Sequence, residues 1–166
     1  KEDIRDPFNC RGISLLSVVG KLFSTILNRR IMEWGEREGI LAEEQGGFRP
    51  DRGCVDQIFS FKEVLRGRRG KKTFCCFIDI KKAYDRVFRA GLWKMVWEKG
   101  IRGKMFRVLK CLYAEVESCV LVNGKRTGWF SVGVGVRQGC VLSPVLFAIF
   151  IDGVAEDLRE LGVGVP

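Results

Sequence analysis

The chain contains no histidine in 166 residues. That absence excludes a Ser-His-Asp or Cys-His nucleophile system and any zinc site built on imidazole. None of the seven cysteines forms a C-x-x-C pair. Their odd number, with no secretory leader in view, predicts reduced thiols in the cytosol or nucleus, acting mainly as small buried apolar residues. Long apolar runs are also missing. The longest, Val141 to Ile151, is interrupted by Ser143 and Pro144, well short of the ~18 residues a membrane span needs. No charged start leads into an apolar segment and a cleavage site, so secretion is not expected. Repeats, low-complexity tracts and Pro/Ser-rich linkers are absent, which excludes collagen, compositional disorder and a coiled coil. The chain opens on Lys1 rather than Met and closes on Gly-Val-Pro, and is expected to be a piece of a longer protein.

What is abundant is positive charge: 29 Lys+Arg against 20 Asp+Glu, a net +9. Residues 73–110 hold 10 basic and 3 acidic residues, and the run Arg66, Arg68, Arg69, Lys71, Lys72 lies just before them. A polyanionic partner is the natural inference, with nucleic acid the commonest; the plainer alternative is a solvated basic face. With 46% hydrophobic residues, a chain of this length suits one domain and can bury roughly 70% of its extended-chain surface.

Periodicity organises the chain. Apolar residues at 15, 16, 18, 19, 22, 23, 26, 27 and 31 predict a helix over 14–34, capped by Ser14 or Ser17 and ended by Gly35 or Gly39. Residues 43–54 read as a loop, and Val55 to Leu65 as a second helix stopped by Gly67. The run 72–80, KTFCCFIDI, predicts a buried strand. Helices are expected over 91–100 and 104–116, and a hairpin over 118–132 around Asn123-Gly124. Ser143-Pro144 reads as a cap followed by Pro at the first helical position, opening a helix to about Leu161. Two helices, a strand, two helices, a hairpin and a helix make an α+β chain, not a regular βαβ array.

Chemistry concentrates in two stretches. In FIDIKKAYDRV (77–87), Asp79 ends an apolar strand, where a hard oxygen ligand suits Mg²⁺. Lys81, Lys82 and Arg86 add positive charge, and Tyr84 sets a bulky ring five residues on. The plain alternative for Asp79 is a helix cap. In GVRQGCVLSP (135–144), glycines flank Arg137 and Gln138; such glycines let backbone approach a ligand closely, and Gln138 offers a donor and an acceptor. An ordinary Gly-rich turn feeding a helix is the alternative. NCRGISLLS (9–17) and GGFRPDRG (46–53) each set Arg, whose fork matches phosphate oxygens, in a Gly-bearing loop beside a helix.

In this order the blocks closely resemble the reverse transcriptase domain of non-LTR (LINE-type) retrotransposons, through almost the whole chain. Asn9, Arg11 and Gly12 to Leu16 resemble its N-terminal fingers block. Gln45 to Arg49, Arg52 and Cys54 to Gln57 resemble its second fingers block. Phe77, Asp79, Ala83 to Asp85 and Val87 resemble palm motif A. Arg137 to Cys140 and Leu142 to Pro144 resemble motif B.

The resemblance implies an incomplete right-hand polymerase fold, with fingers over 1–72 and a partial palm over 73–166. It implies an RNA-directed DNA polymerase adding dNTPs to a primer 3′-OH by two-metal phosphoryl transfer, with RNA template and DNA primer as partners and Mg²⁺, or Mn²⁺, as cofactor. No membrane partner is implied, and the parent ribonucleoprotein would occupy nucleus and cytoplasm. Asp79 would be a catalytic, metal-binding aspartate, with the Ile80 carbonyl helping. Arg11 would meet the triphosphate, Tyr84 would gate against a ribose 2′-OH, and Gln138 and Gly139 would line the nucleotide and template pocket. Arg49 and Arg52 would either anchor a loop or face the template, and Arg68 and Arg69 are candidate nucleic-acid contacts. Asp85 is expected to be structural. Motif C requires an Asp-Asp pair, and the chain contains none, so the chain alone is expected to be inactive. A catalytically inert retroelement relic or an RNA-binding module is the alternative reading.

Overall fold

The computed structural model of the chain describes residues 6 and 11–162; Asn9 and Cys10 of the N-terminal block lie outside them. Helix α1, Val18–Glu38, begins where the Ser17 hydroxyl accepts the Gly20 N–H at 3.1 Å. It ends at Gly39, whose φ of 62° turns the chain so that the Ile40 N–H closes on the Gly35 carbonyl at 3.0 Å. Helix α2, Cys54–Gly67, is started by the Asp56 carboxylate accepting the Gly53 N–H at 2.7 Å, and buries none of its residues. A single 3₁₀ turn, Tyr84–Arg86, precedes α3, Arg89–Glu98, and α4, Gly103–Ala114.

Between α4 and the last helix lies one bent hairpin of four short strands. Strand β1, Glu117–Ser118, pairs antiparallel with β4, Phe130–Ser131; β2, Leu121–Val122, pairs with β3, Lys125–Arg126. Its turn is Asn123-Gly124, with φ of 49° and 77°. Two consecutive positive φ values match the twist of the flanking strands, so Asn-Gly is favoured there.

Helix α5, Ser143–Glu160, forms the centre of the core. Its Val145, Leu146 and Ile149 are buried and pack with Leu92 and Val96 of α3, Leu109 and Tyr113 of α4, and Leu27 and Ile31 of α1. Each such apolar side chain contributes about 1.5–3 kcal/mol by leaving water. One core therefore draws on residues from both sides of position 72. A fully buried carboxylate, Asp152, ties the middle of α5 down: it accepts the Ala42 N–H at 2.9 Å and the Lys99 ammonium at 2.5 Å. Burial alone would lower the Lys99 pKa, but hydrogen bonds to Asp152 and Glu156 hold it above its ordinary value. No helix among the described residues is long and apolar enough to cross a membrane.

Three expectations are corrected. Residues 72–80 are not a buried strand: they carry no ladder, and Phe74, Phe77 and Ile78 are 94%, 82% and 85% exposed. A strand exists only with a hydrogen-bonded neighbour, and no described segment pairs with this one. The cap of α5 is Leu142, not Ser143; the Ser143 hydroxyl instead donates to the Arg137 carbonyl at 2.7 Å, bracing the preceding loop. Of the described cysteines only Cys140 is buried, while Cys54, Cys75, Cys76 and Cys111 are exposed free thiols.

Candidate functional site

Three segments distant in sequence meet at the start of α5. The loop 133–142 is held on the motif A turn by two backbone bonds: Gly135 N–H to the Val87 carbonyl at 2.9 Å, and Val136 N–H to the Tyr84 carbonyl at 2.8 Å. Further along the loop, the Gln138 carbonyl accepts the Ser14 N–H at 2.7 Å. Both junctions depend on glycine. At Gly135, with φ of 79°, a Cβ would lie 2.8 Å from the carbonyl oxygens of Tyr84 and Asp85. At Gly139, with φ of 107°, it would lie 2.8 Å from the Ser14 carbonyl oxygen. The glycines expected to admit a ligand thus admit other segments of the chain itself.

The Tyr84 ring leans on Phe147 of α5 with centroids 5.2 Å apart. It is half-buried, and burial raises its phenol above the ordinary value, so it stays neutral at physiological pH. Backbone bonds on one side and Phe147 on the other fix the ring's position. Gln138 is half-buried beside this turn, and Arg11 is exposed three residues before Ser14. Asp79 is exposed and makes no hydrogen bond or ion pair with described residues, and Ile80 is 44% exposed.

The structure brings Tyr84, Gln138, Gly139 and the Ser14 segment together, and places Asp79 on the unpaired stretch leading into the same turn. No group of three or more His, Cys, Asp or Glu side chains able to hold a metal ion occurs among the described residues. A divalent ion takes six or more oxygen ligands, several of them anionic or water. Asp79 alone does not satisfy that requirement.

Two arginines outside the expected site residues hold the loop from below. Arg89 donates to the Gly135 carbonyl at 2.9 Å and to the Tyr113 carbonyl at 3.1 Å, with its guanidinium 5.2 Å from the Tyr113 ring centre. Desolvation lowers its pKa. Arg137 donates to the Leu112 carbonyl at 3.0 Å and stacks 5.4 Å from the same ring. Arg137 thereby braces the loop against the end of α4. Nothing in the spacing of Arg89 signals its role, because its acceptors lie 24 and 46 residues away.

The arginines of the second fingers block also turn inward. Arg49 forms a two-pronged pair with Glu36, at 2.9 and 2.8 Å, and donates to the Ala42 carbonyl at 3.0 Å. Its side chain is only 5% exposed. Of its two sequence readings, loop anchoring is the one the geometry fits; a template contact would require this pair to open. Arg52 is paired with Glu43. Arg68 donates to the Thr73 hydroxyl at 3.3 Å, and Arg69 is exposed.

Arg49→Ala is expected to cost about 2–3 kcal/mol, because it strands a half-screened Glu36 carboxylate and two loop carbonyls. That corresponds to a fall in melting temperature of roughly 5–10 °C. The hydrogen bond from Arg49 holds the Glu36 pKa below its ordinary value. The pair therefore stabilises fully above the ordinary carboxylate range and weakens as pH falls through it. In Arg49→Ala this acid-sensitive part should be missing from thermal melts taken across that range.

An aromatic-walled turn and a glycine loop are thus pinned together at the start of α5, with an unpaired aspartate leading in. A family model described as reverse transcriptase (RNA-dependent DNA polymerase) matches residues 1–164, and the chain belongs to that family. It is 31% identical over 148 residues to a probable RNA-directed DNA polymerase from transposon X-element of Drosophila melanogaster, covering 88% of this chain and 16% of that protein. It is 30% identical over 147 residues to the RNA-directed DNA polymerase from mobile element jockey of Drosophila funebris, covering 87% and 16%. It is 28% identical over 157 residues to a Pol polyprotein from the type-1 retrotransposable element R2 of Nasonia vitripennis, covering 93% and 15%. The chain thus spans about a sixth of the length of these relatives.

Proposed function

We propose that this chain forms the nucleotide-selecting part of an RNA-directed DNA polymerase of a non-LTR retrotransposon, within a longer protein that binds RNA template, DNA primer and dNTP. The observation that carries this reading is the junction of three segments: Ser14 on Gln138, and Tyr84 on Val136, with both glycines at their contact points. In the finer picture the segments 1–72 and 73–166 are fingers and partial palm of a right-hand fold. The parent works inside the cell, in nucleus and cytoplasm. Tyr84 is the sugar gate: its ring is neutral, rigid and beside the glycine loop. Arg11 is the exposed cation available to a triphosphate. Asp79, with the Ile80 carbonyl, supplies part of the oxygen set for Mg²⁺ or Mn²⁺.

In the longer polymerase, Tyr84→Ala should open space where a ribose 2′-OH would collide with the ring. One such contact is worth ~1–3 kcal/mol, so discrimination between dNTP and rNTP should fall about 10- to 200-fold. Single-nucleotide incorporation assays measure the ratio, and an unchanged ratio would remove Tyr84 from the gate.

The purified 166-residue chain is expected to extend no primer with dNTPs and Mg²⁺ or Mn²⁺. One exposed carboxylate does not hold two divalent ions close together. Extension that disappears in Asp79→Ala would show that another carboxylate in this chain completes the site.

A further inference from the structure

At the opposite end of α1 from the Ser14–Gln138 junction is a cleft of about 260 Å³, lined by Arg30, Ile31, Trp34, Ile101, Arg102 and Met105. At 1.5 Å per helical residue, Arg30 lies about 20 Å along α1 from the Ser17 cap, so the cleft is separate from the nucleotide site. Its far wall is the turn that ends α3. There the Gly100 N–H bonds to the Trp97 carbonyl at 3.0 Å and the Ile101 N–H to the Val96 carbonyl at 3.1 Å. Gly100, with φ of 90°, folds the turn against Trp34.

The chemistry of the cleft's rim is distinctive. Arg102 sits over the Trp97 ring at 5.3 Å, Trp97 meets Phe106 edge-on at 5.1 Å, and Lys110 lies over Phe106 at 5.8 Å. Trp97 is 45% exposed. Arg102 and Lys110 are positioned by aromatic faces rather than by carboxylates, and Arg30, Arg102 and Lys110 form no ion pair among the described residues, whereas Arg49, Arg52, Lys99 and Arg159 all do. A phosphate could therefore take their N–H donors without an existing pair being broken. Lys104 and Arg107 are exposed on the same helix, one turn apart, and are also without an ion pair among the described residues. An apolar, Trp-walled slot with unpaired cations on both lips suits a chain of bases and phosphates: bases stack on the rings while the cations follow the backbone.

We propose that the cleft between α1 and the α3–α4 turn is an accessory site for single-stranded RNA. The choice of RNA over DNA rests on the polymerase reading; the site itself rests on the cleft. The test uses the 166-residue chain and a labelled oligouridylate of about twelve nucleotides, long enough for the site sizes of single-strand grooves. Anisotropy and tryptophan fluorescence follow binding at several salt concentrations. RNA should bind with a steep salt dependence and quench tryptophan. The exposed double substitution Arg30→Glu/Arg102→Glu should weaken binding at least about tenfold and lower the salt slope by about 1.4, the amount expected for two lost single-strand phosphate contacts. Trp97→Phe should reduce the quench. Reversing the exposed hairpin pair Lys125 and Arg126 to Glu should leave the quench in place. Overturning results are binding unchanged by the Arg30/Arg102 reversal, a preference for oligothymidylate DNA over RNA, or equal binding and quenching by polyglutamate, which would make the cleft an acidic-peptide site. Because the readout is binding rather than primer extension, its failure is distinguishable from failure of the polymerase reading.

Discussion

Gly135→Val should be the most destabilising single substitution at the junction, by about 3–5 kcal/mol. Three effects add. The new Cβ would lie 2.8 Å from two carbonyl oxygens, which belong to backbone and cannot swing aside. A β-branched residue at φ of 79° is strained by about 1–3 kcal/mol in any surroundings. Moving the loop away to relieve the clash would break the bonds at 2.9 and 2.8 Å that hold it to Val87 and Tyr84, and would unseat the Arg89 clamp on the Gly135 carbonyl. Gly133→Ala, two residues earlier, is the matched control: nothing lies within 4 Å of its added Cβ and its φ is not positive. That change should stay within ~0.5 kcal/mol. Urea unfolding of the two variants measures the contrast, and equal midpoints would mean that the junction contributes little to the fold.

Features governed by neighbours in sequence are legible in the residues themselves. Ser17 caps α1, Gly39 ends it, and Asn123-Gly124 turns the hairpin, because capping and turn preferences act over a few residues. The start of α5 departs from its sequence pattern for a reason of the opposite kind. Ser143 faces inward to the Arg137 carbonyl, a partner six residues back that competes with the cap role. Residues 72–80 show the limit most clearly. Their side chains prefer a strand, but strand formation depends on a partner that no pattern within those residues reveals.

The site divides along the same line. Asp79, Tyr84, Gln138 and Gly139 are legible through the order of their blocks and their resemblance to a known family. The contacts joining them are not, since they run between backbone atoms and leave only a glycine as trace. Arg49 and Arg69 look alike in sequence, each in a basic stretch close to Gly. Only the fold shows that Glu36, thirteen residues upstream on α1, holds Arg49 inside while Arg69 remains outside. Arg89 leaves no trace at all, because its acceptors come from the end of α4 and the loop before α5.

Asp79 leads into the proposed nucleotide site, to which it should bring chemistry and not stability. Its carboxylate is exposed and has no partner among the described residues, so removing its charge should leave the fold intact. In the longer polymerase carrying this segment, Asp79→Asn should retain the melting temperature within ~2 °C, the shift expected of an exposed substitution without structural contacts. Primer extension should fall at least about a thousandfold, which corresponds to roughly 4 kcal/mol of transition-state stabilisation. Extension retained within about fivefold by a folded Asp79→Asn protein, a barrier change of only ~1 kcal/mol, would contradict the assignment of this aspartate and of the site built around it.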